Sequence, residues 1–591
     1  MSIEVTSISM RPEKLAEVPS AIQVITGENI HRSGVTRLPE ALRLASNLQI
    51  SQSNSHDWAV TARGFNGLPA AGGVLANKLQ VTVDGRSLYS PLYGGVFWDV
   101  QNTLLEDVDR IEVVSGPGGT LWGANAVNGV INIVTKSAKE TQGLYASAAA
   151  GSFLKDQVEA RYGFQAGSDV FVRVYGQHFD QRDTKLDTGG NALDKWDHTQ
   201  AGFRMDYYPS KAGTLTFQGD FYWSRANESI SRLINDGQNL LARYSHIFSE
   251  TSNLRIQAYF DHTWRKTPKA VNPLTYELTT YDVDVQYRFG LGQRQSILVG
   301  GSYRFQRDNA THTLTPLSRD MPLYSGFIQD EITVVPDILK FTVGSKFLHN
   351  VFSGFEMQPT ARLAWTPGIK HTLWASVSGA ARTPSRYDTD VAIGVVKFDA
   401  EKITAFELGY RVRPSDNFSV SFAGFYNKYN QLRSFELNVD PQPPIFIANE
   451  QRAESRGFEI SGNLQATPWW RLRGGYTYFD KAQWTLSERT LPVSIYSEGV
   501  DPTHTAILQS NMDIKKNFAV DVISRYLSGL PSIENVIPAV PAYFTFDIRA
   551  AWIFKNFEVS VVGQNLFENE HAETGSSLIP RSFYGKVICN F

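Results

Sequence analysis

The chain has a single cysteine, Cys589, among 591 residues. That excludes a disulfide within the chain and any zinc site built on cysteines. A surplus of either charge is also missing: 56 Lys and Arg stand against 59 Asp and Glu, a formal net charge of -3. Bulk charge therefore gives no reason to expect nucleic acid or an anionic surface as a partner. No run of ~18 apolar residues occurs, so no spanning helix is expected. The start, Met1-Ser2-Ile3-Glu4, has no basic segment and no apolar core. If the protein is exported, a mature or trimmed form is expected. Motifs of covalent chemistry are missing too: there is no Walker loop, no Gly-x-Ser-x-Gly elbow and no His-Glu-x-x-His. Eleven His and six Met are scattered and form no compact soft-metal cluster. Gly116-Pro117-Gly118-Gly119 lacks the Lys-Ser/Thr that a phosphate loop needs. The expectation is a protein with no catalytic residue, no metal site and no cofactor.

What the chain does have is alternation. Aromatics make up 12% of it and Gly contributes 46 residues. In the last stretch, Arg581 to Phe591, apolar or small residues recur by twos at Phe583, Gly585, Val587, Cys589 and Phe591. A period of two marks a strand with two unlike faces. Tyr584 and Ile588 break its wetter face. An exposed aromatic face makes sense against lipid, where only closed barrels and helices can span. The same period runs through Tyr543–Phe554, where Thr545, Asp547 and Arg549 oppose Phe544, Phe546, Ile548, Ala550 and Trp552. It runs through Asn417–Tyr429, with Phe425 as the exception, and through Leu254–Trp264.

The connections sharpen the reading. Short polar or Pro-bearing turns fall at Ala166–Asp169, Tyr208–Gly213, Ser249–Asn253, Val335–Asp337, Thr366–Lys370, Pro414–Asn417, Thr467–Trp469 and Ile514–Asn517. Longer connections are expected between them, among them Ala226–Gly237, Ala380–Ala400 and Asn430–Ser455. Alternating short and long connections are those of a transmembrane barrel, with about 22 strands at this length. Trp469-Trp470 and Tyr207-Tyr208 suit aromatic girdles.

The first ~140 residues read differently, as a small α/β domain of a size that could fill a wide barrel. Pro19–Thr26 is strand-like, and Leu38–Leu44 is helical. Gln80–Val83 leads into an Asp84-Gly85 turn, and Val108–Ser115 and Gly129–Thr135 read as strands.

Here a family resemblance becomes specific. The run Val108-Asp109-Arg110-Ile111-Glu112-Val113-Val114-Ser115-Gly116-Pro117-Gly118-Gly119-Thr120-Leu121-Trp122-Gly123-Ala124-Asn125-Ala126-Val127-Asn128-Gly129-Val130-Ile131-Asn132-Ile133-Val134-Thr135-Lys136 closely resembles the plug signature of TonB-dependent outer-membrane receptors. Ala62-Arg63-Gly64-Phe65 and Val83-Asp84-Gly85-Arg86 look like two more plug motifs. Phe406-Glu407-Leu408-Gly409-Tyr410, Phe425-Tyr426-Asn427, Gly457-Phe458-Glu459, Gly563-Gln564-Asn565-Leu566-Phe567 and the terminal Phe591 are similar to strands of the family's barrel. The resemblance implies an all-β membrane barrel with an α/β plug in its lumen, in the Gram-negative outer membrane. It divides the chain into a TonB-box segment (1–17), a plug (18–142) and a barrel (143–591). Ile3, Glu4, Val5, Thr6 and Ser7 look like the TonB box, a segment that the energy-coupling protein TonB captures as an added strand. Arg63, with Glu407 and Glu459, matches a plug–barrel lock. Ser115 stands where many relatives have a second arginine, which puts a doubled lock in doubt.

The resemblance further implies active import by a monomer in contact with lipid and lipopolysaccharide. A ferric siderophore leads as cargo; vitamin B12 or another metal chelate is the alternative. A passive pore or adhesin is the alternative of another class. Candidate ligand residues lie on the plug apices Phe65–Ala76 and Tyr89–Trp98, namely Phe65, Tyr89, Tyr93, Phe97 and Trp98, whose aromatics suit a flat ligand. Arg382, Arg386 and Arg433 are expected on outer loops, with paired donors for an anionic chelate.

Overall fold

A computed structural model describes the whole chain except residues 1–3, 66–75, 229–230, 269–272, 312–313, 392–397, 439–444, 492–493, 495–498, 533–538 and 575–576. From Gly143 onward, 22 strands close into one barrel. Each pairs antiparallel with its neighbours, and the last, Ser582–Asn590, lies between Phe557–Gln564 and the first, Gly143–Gly151. Closure leaves no open sheet edge for lipid to meet. No helix among the described residues is long and apolar enough to cross a membrane.

The period of two becomes two environments. Phe544 and Trp552 are exposed on the outer face, whereas Thr545 and Arg549 are buried on the lumen side. Phe583, Val587 and Phe591 are exposed in the same way. The breaks in pattern have a cause: the plug packs there. Tyr584 donates its hydroxyl to the carbonyl of Gly34, and Ile588 packs with Leu104 and Tyr145. Phe425, the exception in its strand, lies under the Arg63 guanidinium at 4.3 Å.

The long connections need correction. Ala226–Gly237 and Asn430–Ser455 are mostly strand: one hairpin continues to Glu228 and resumes at Ser231, and another runs through Phe418–Leu437 and Ile445–Thr467. The last is 23 residues long. A bilayer needs about 9–11 residues per tilted strand. The excess is paired hairpin standing outside the membrane, where ladder bonds satisfy backbone groups that an irregular loop would leave to water. Among the short turns that went unread are Leu291–Gln295, with Gly292 at φ 64°, and Phe554–Phe557, with Lys555 at φ 51°.

The plug is built on a five-stranded mixed sheet, in the order Ile22–Thr26, Val108–Ser115, Gly129–Thr135, Leu79–Val83 and Arg86–Ser87. Leu48–Gln52 and Trp58–Ala62 form a separate hairpin. One helix, Gly27–Ser33, was not foreseen; Thr26 and Asn29 cap each other at its start, and Gly34 ends it at φ 71°. Its signal was present, because Thr-x-x-Asn has the spacing of a capping box. The second helix is Leu38–Leu42. The plug core, with Ile25, Leu42, Ile111 and Ile131, is continuous with apolar lumen residues such as Ile507 and Val562.

Candidate functional site

Arg63 follows the strand Trp58–Ala62 and has φ 52°, a left-handed turn position. That turn aims its side chain at the barrel wall. Nε donates to Glu459 at 2.9 Å, and a terminal nitrogen donates to Glu407 at 2.6 Å. Glu407 also accepts from the Trp374 indole at 2.7 Å. Burial works against the guanidinium's charge, but Glu459 and Glu407 outweigh it and raise its pKa. One arginine thus faces both glutamates. At the departure from the family pattern, Ser115 accepts a bond from Asn47 at 2.8 Å. Gly116 is required beside it: at φ 83°, a Cβ there would stand 2.8 Å from Arg63.

The N-terminal segment is docked rather than hanging free. Glu4–Val5 pairs antiparallel with Glu13–Lys14, and Val5 is 1% exposed. The backbone N–H of Thr6 donates to the Glu112 carboxylate at 3.0 Å, and that of Ser7 at 2.8 Å. Arg110 holds the same carboxylate at 2.8 Å. Ile3 lies outside the described residues. Glu112 was missed by sequence reasoning, although a carboxylate flanked by Ile111, Val113 and Val114 in a buried strand was a visible oddity.

At the outer mouth, the apex aromatics divide. Trp98 belongs to the plug core, and Phe97 is buried beneath Arg265 at 3.9 Å. Tyr93 is half-buried, 5.7 Å from Tyr387. Tyr89 donates to the carbonyl of Asn77 at 3.2 Å. Phe65 is fully buried, 4.3 Å from Tyr429, with Lys481 4.7 Å from its ring. The rest of that apex, 66–75, lies outside the described residues. Phe65 and Trp98 are both buried in packed clusters.

The three arginines correct the expectation of open cationic loops. Arg382 ends the strand His371–Arg382, Arg386 opens the helix Arg386–Asp390, and Arg433 lies within the strand Phe418–Leu437. All three are at most 1% exposed. Arg382 pairs with Glu401 and Asp388 at 2.7 Å each, and Arg433 reaches Asp388 at 3.1 Å. Arg386 pairs with Asp308 and Asp390. Lys78 joins from the plug, 2.9 Å from Glu401. An unpaired buried charge is prohibitive, so fork-shaped donors this deep draw carboxylates around them. The backbone N–H groups of Arg386 and Tyr387 donate to Pro91 and Leu92, both at 2.8 Å. The cluster thus ties the plug apex to the wall. Ser385-x-x-Asp388, a capping box, was the sequence signal for its helix.

A family model described as the TonB-dependent receptor plug domain matches residues 14–130, and one described as TonB dependent receptor-like, beta-barrel matches residues 140–566. The chain belongs to the TonB-dependent receptor family, outer-membrane β-barrels of Gram-negative bacteria that act as receptors and transporters rather than enzymes. It is similar to the vitamin B12 transporter of Vibrio vulnificus, 33% identical over 142 residues, which are 24% of this chain and 22% of that one. It is also similar to the iron-regulated outer membrane virulence protein of Vibrio cholerae, 20% identical over 434 residues, covering 64% of this chain and 63% of the other. Among solved structures, the FrpB iron transporter from Neisseria meningitidis superposes with a TM-score of 0.83 at 14% identity, over 97% of this chain and all of that one. The ferripyoverdine receptor of Pseudomonas aeruginosa gives 0.81 at 14% identity, over 100% and 89%. At such identities the structural likeness concerns the fold.

Proposed function

We propose that this receptor imports a scarce metal chelate across the outer membrane, driven by TonB acting on residues 3–7. The docked N-terminal strand carries this reading. A segment already held as a strand, through one short pairing, the Glu112 carboxylate and the Trp122 indole, is suited to exchange those partners for a strand of another protein. A plug that fills the lumen and is tied to the wall at Arg63 suits a gated receptor better than a passive pore or adhesin.

For cargo, a ferric siderophore is the first reading. Its support is the similarity to the Vibrio cholerae iron-regulated protein, which extends over 434 residues. Cobalamin is the second, favoured by the higher identity, 33%, to the B12 transporter over a shorter stretch. The paired arginines offer no open anion site, so the charge of the cargo is left to the relatives to suggest. The test is uptake of ⁵⁵Fe-loaded hydroxamate and catecholate chelates, and of ⁵⁷Co-cyanocobalamin, in cells with and without TonB. Removal of residues 3–7 should abolish uptake and leave surface binding intact. Normal import by the truncated receptor would overturn the coupling, and TonB-dependent uptake of cobalamin alone would reassign the cargo.

A further inference from the structure

The three arginines near the apices are spent on carboxylates, but a buried lysine of the wall is not. Lys346, on the strand Leu339–Asn350, is 6% exposed. Its ammonium donates to the carbonyl of Leu121 at 3.1 Å and stands 5.2 Å from the Phe327 ring. It makes no ion pair among the described residues. An ammonium carries three donors, so others are left over. The plug backbone yields it room: a Cβ on Gly123, at φ 85°, would stand 3.3 Å from the Lys346 nitrogen.

Lys346 lines a cavity of about 90 Å³ between plug and wall. That is several times the ~10–15 Å³ that one water needs. The charged residues of its lining are Lys346, Arg304 and Asp282. Arg304 gives its Nε to Asp282 at 2.9 Å, and its terminal nitrogens make no hydrogen bond among the described residues. Asp284, on the same strand as Asp282, does not line the cavity and accepts from Gln286 at 2.8 Å. Two cations thus share one carboxylate, and the lining is one negative charge short. A buried charge without its counter-charge is costly.

The plug side of the cavity is held by a parting in the wall. The strands Gly354–Gly368 and His371–Arg382 pair with each other only from Thr360 and Ser378 toward their short turn. Beyond that point each still pairs with its other neighbour, Gly354 with Asn350 and Arg382 with Glu401. Pro359, which has no N–H to give, stands at the parting. Asn125 fills it from inside: its N–H donates to the Ala381 carbonyl at 3.0 Å, and its Oδ1 accepts from the Thr383 N–H at 3.1 Å. Asn125 lines the cavity, and its amide nitrogen makes no bond among the described residues. On the outer side, Val351 and Phe352 line the cavity from the turn between Leu339–Asn350 and Gly354–Gly368. The rim is notched there, because Ser318–Val335 begins beyond its last pair with that neighbour, Leu323 with Asn350.

We propose that this cavity takes a carboxylate arm of the cargo, with Lys346, the terminal nitrogens of Arg304 and the Asn125 amide as donors, and that the cargo is therefore a chelate bearing a free carboxylate. The site rests on the chelate import argued above. Unspent donors and one missing negative charge call for a monoanion of oxygen acceptors, and charge-assisted bonds make such a fit strong. A phosphate monoester, with close to two charges at pH 7, would overshoot.

The test is binding to the full purified receptor of two ⁵⁵Fe chelates, one of hydroxamate and one of catecholate type. Each is made with a free pendant carboxylate and with that carboxylate as its methyl amide. The acid form of at least one should bind about ten- to a hundredfold tighter than its amide, the range of a hydrogen bond to a charged group. Lys346→Gln should erase the preference, and Lys346→Arg should keep it. Asp282→Asn leaves Lys346 in place and adds one net positive charge, so it should increase the preference. Heat-dependent gel mobility reports the folding of each variant, and Asp282→Asn decides alone where Lys346→Gln does not fold. An acid form bound no tighter than its amide, a preference that survives Lys346→Gln or does not rise in Asp282→Asn, or binding of neither acid form would overturn the site. Acid forms that bind tightly but are not taken up by cells with TonB would overturn the import reading and leave the site standing.

Discussion

Arg63 concentrates the plug–barrel contact in one side chain. Its side chain is 1% exposed and faces two carboxylates whose side chains are 9% and 6% exposed. Removing it leaves Glu407 and Glu459 uncompensated, at a cost of roughly 3–5 kcal/mol. Arg63→Ala should therefore lower the thermal midpoint of the plug and open it to protease. Adding Glu407→Gln and Glu459→Gln should restore much of the loss, because the stranded charges are then gone. An unchanged midpoint in the single variant would remove the lock. His31 offers a pH-dependent tie between the same two domains. It lies 3.2 Å from Glu106 of the plug and 3.0 Å from Glu558 of the barrel. Burial alone would lower its pKa; the bonds to Glu106 and Glu558 outweigh that and raise it to about 9. The folded value exceeds the ordinary value of about 6.5. Its contribution is therefore complete below about pH 6.5 and is lost as the pH rises through about 9. Thermal midpoints measured across that window should fall for the parent and fall less for His31→Gln. Parallel curves would remove this tie.

Among the elements, a strand's two faces make separate demands. Val561 is 61% exposed on the outer face, and its neighbour Val562 is 1% exposed, in the plug-facing core. Val561→Arg should cost roughly 2–4 kcal/mol if that face meets the bilayer interior. Refolding into lipid vesicles across a urea series measures it, and a cost near zero would take this position out of the lipid band. The lumen face follows another rule: Asp521 is almost fully buried, yet it pairs with Arg32 of the plug at 2.7 Å and Arg549 of the barrel at 2.8 Å. Alternation alone labels such residues wet. The plug makes them dry and paired. The strands beyond the membrane were misread for a related reason: their residues are mixed in polarity, as loops are, and ladder pairing rather than burial holds them.

At the scale of the molecule, ring and plug are separable in topology. Among the described residues, the ring's ladder is made of barrel strands alone, and the plug sheet joins no barrel strand. Residues 143–591 alone should therefore still close into a barrel, with a large open conductance in bilayers and the heat-dependent gel mobility of a folded barrel. Failure to fold without the plug would show that lumen packing such as that of Ile507 and Val562 is needed for closure.

Periodicity made the barrel legible, because a period of two with one lipid-facing side repeats in every spanning strand. Plug strands such as Val108–Ser115 and Gly129–Thr135 were legible to the residue, since apolar runs bounded by Gly and polar turns leave little freedom. Arg63, Glu407 and Glu459 were singled out by family motif, and the fold brings the Arg63 guanidinium within 2.9 Å of each carboxylate, across 344 and 396 residues of chain. The state of Arg382, Arg386 and Arg433 was not legible. Their partners Asp308, Asp388, Asp390 and Glu401 sit on the strand Gln295–Ala310, the short helix Arg386–Asp390 and the strand Glu401–Ser415, which are far apart in the sequence or around the barrel. Composition records a charge but not what faces it. Local pattern decides which residues can line lipid or a core; whether a buried charge is a binding group or one half of a tie depends on contacts that form only when distant strands meet around the plug.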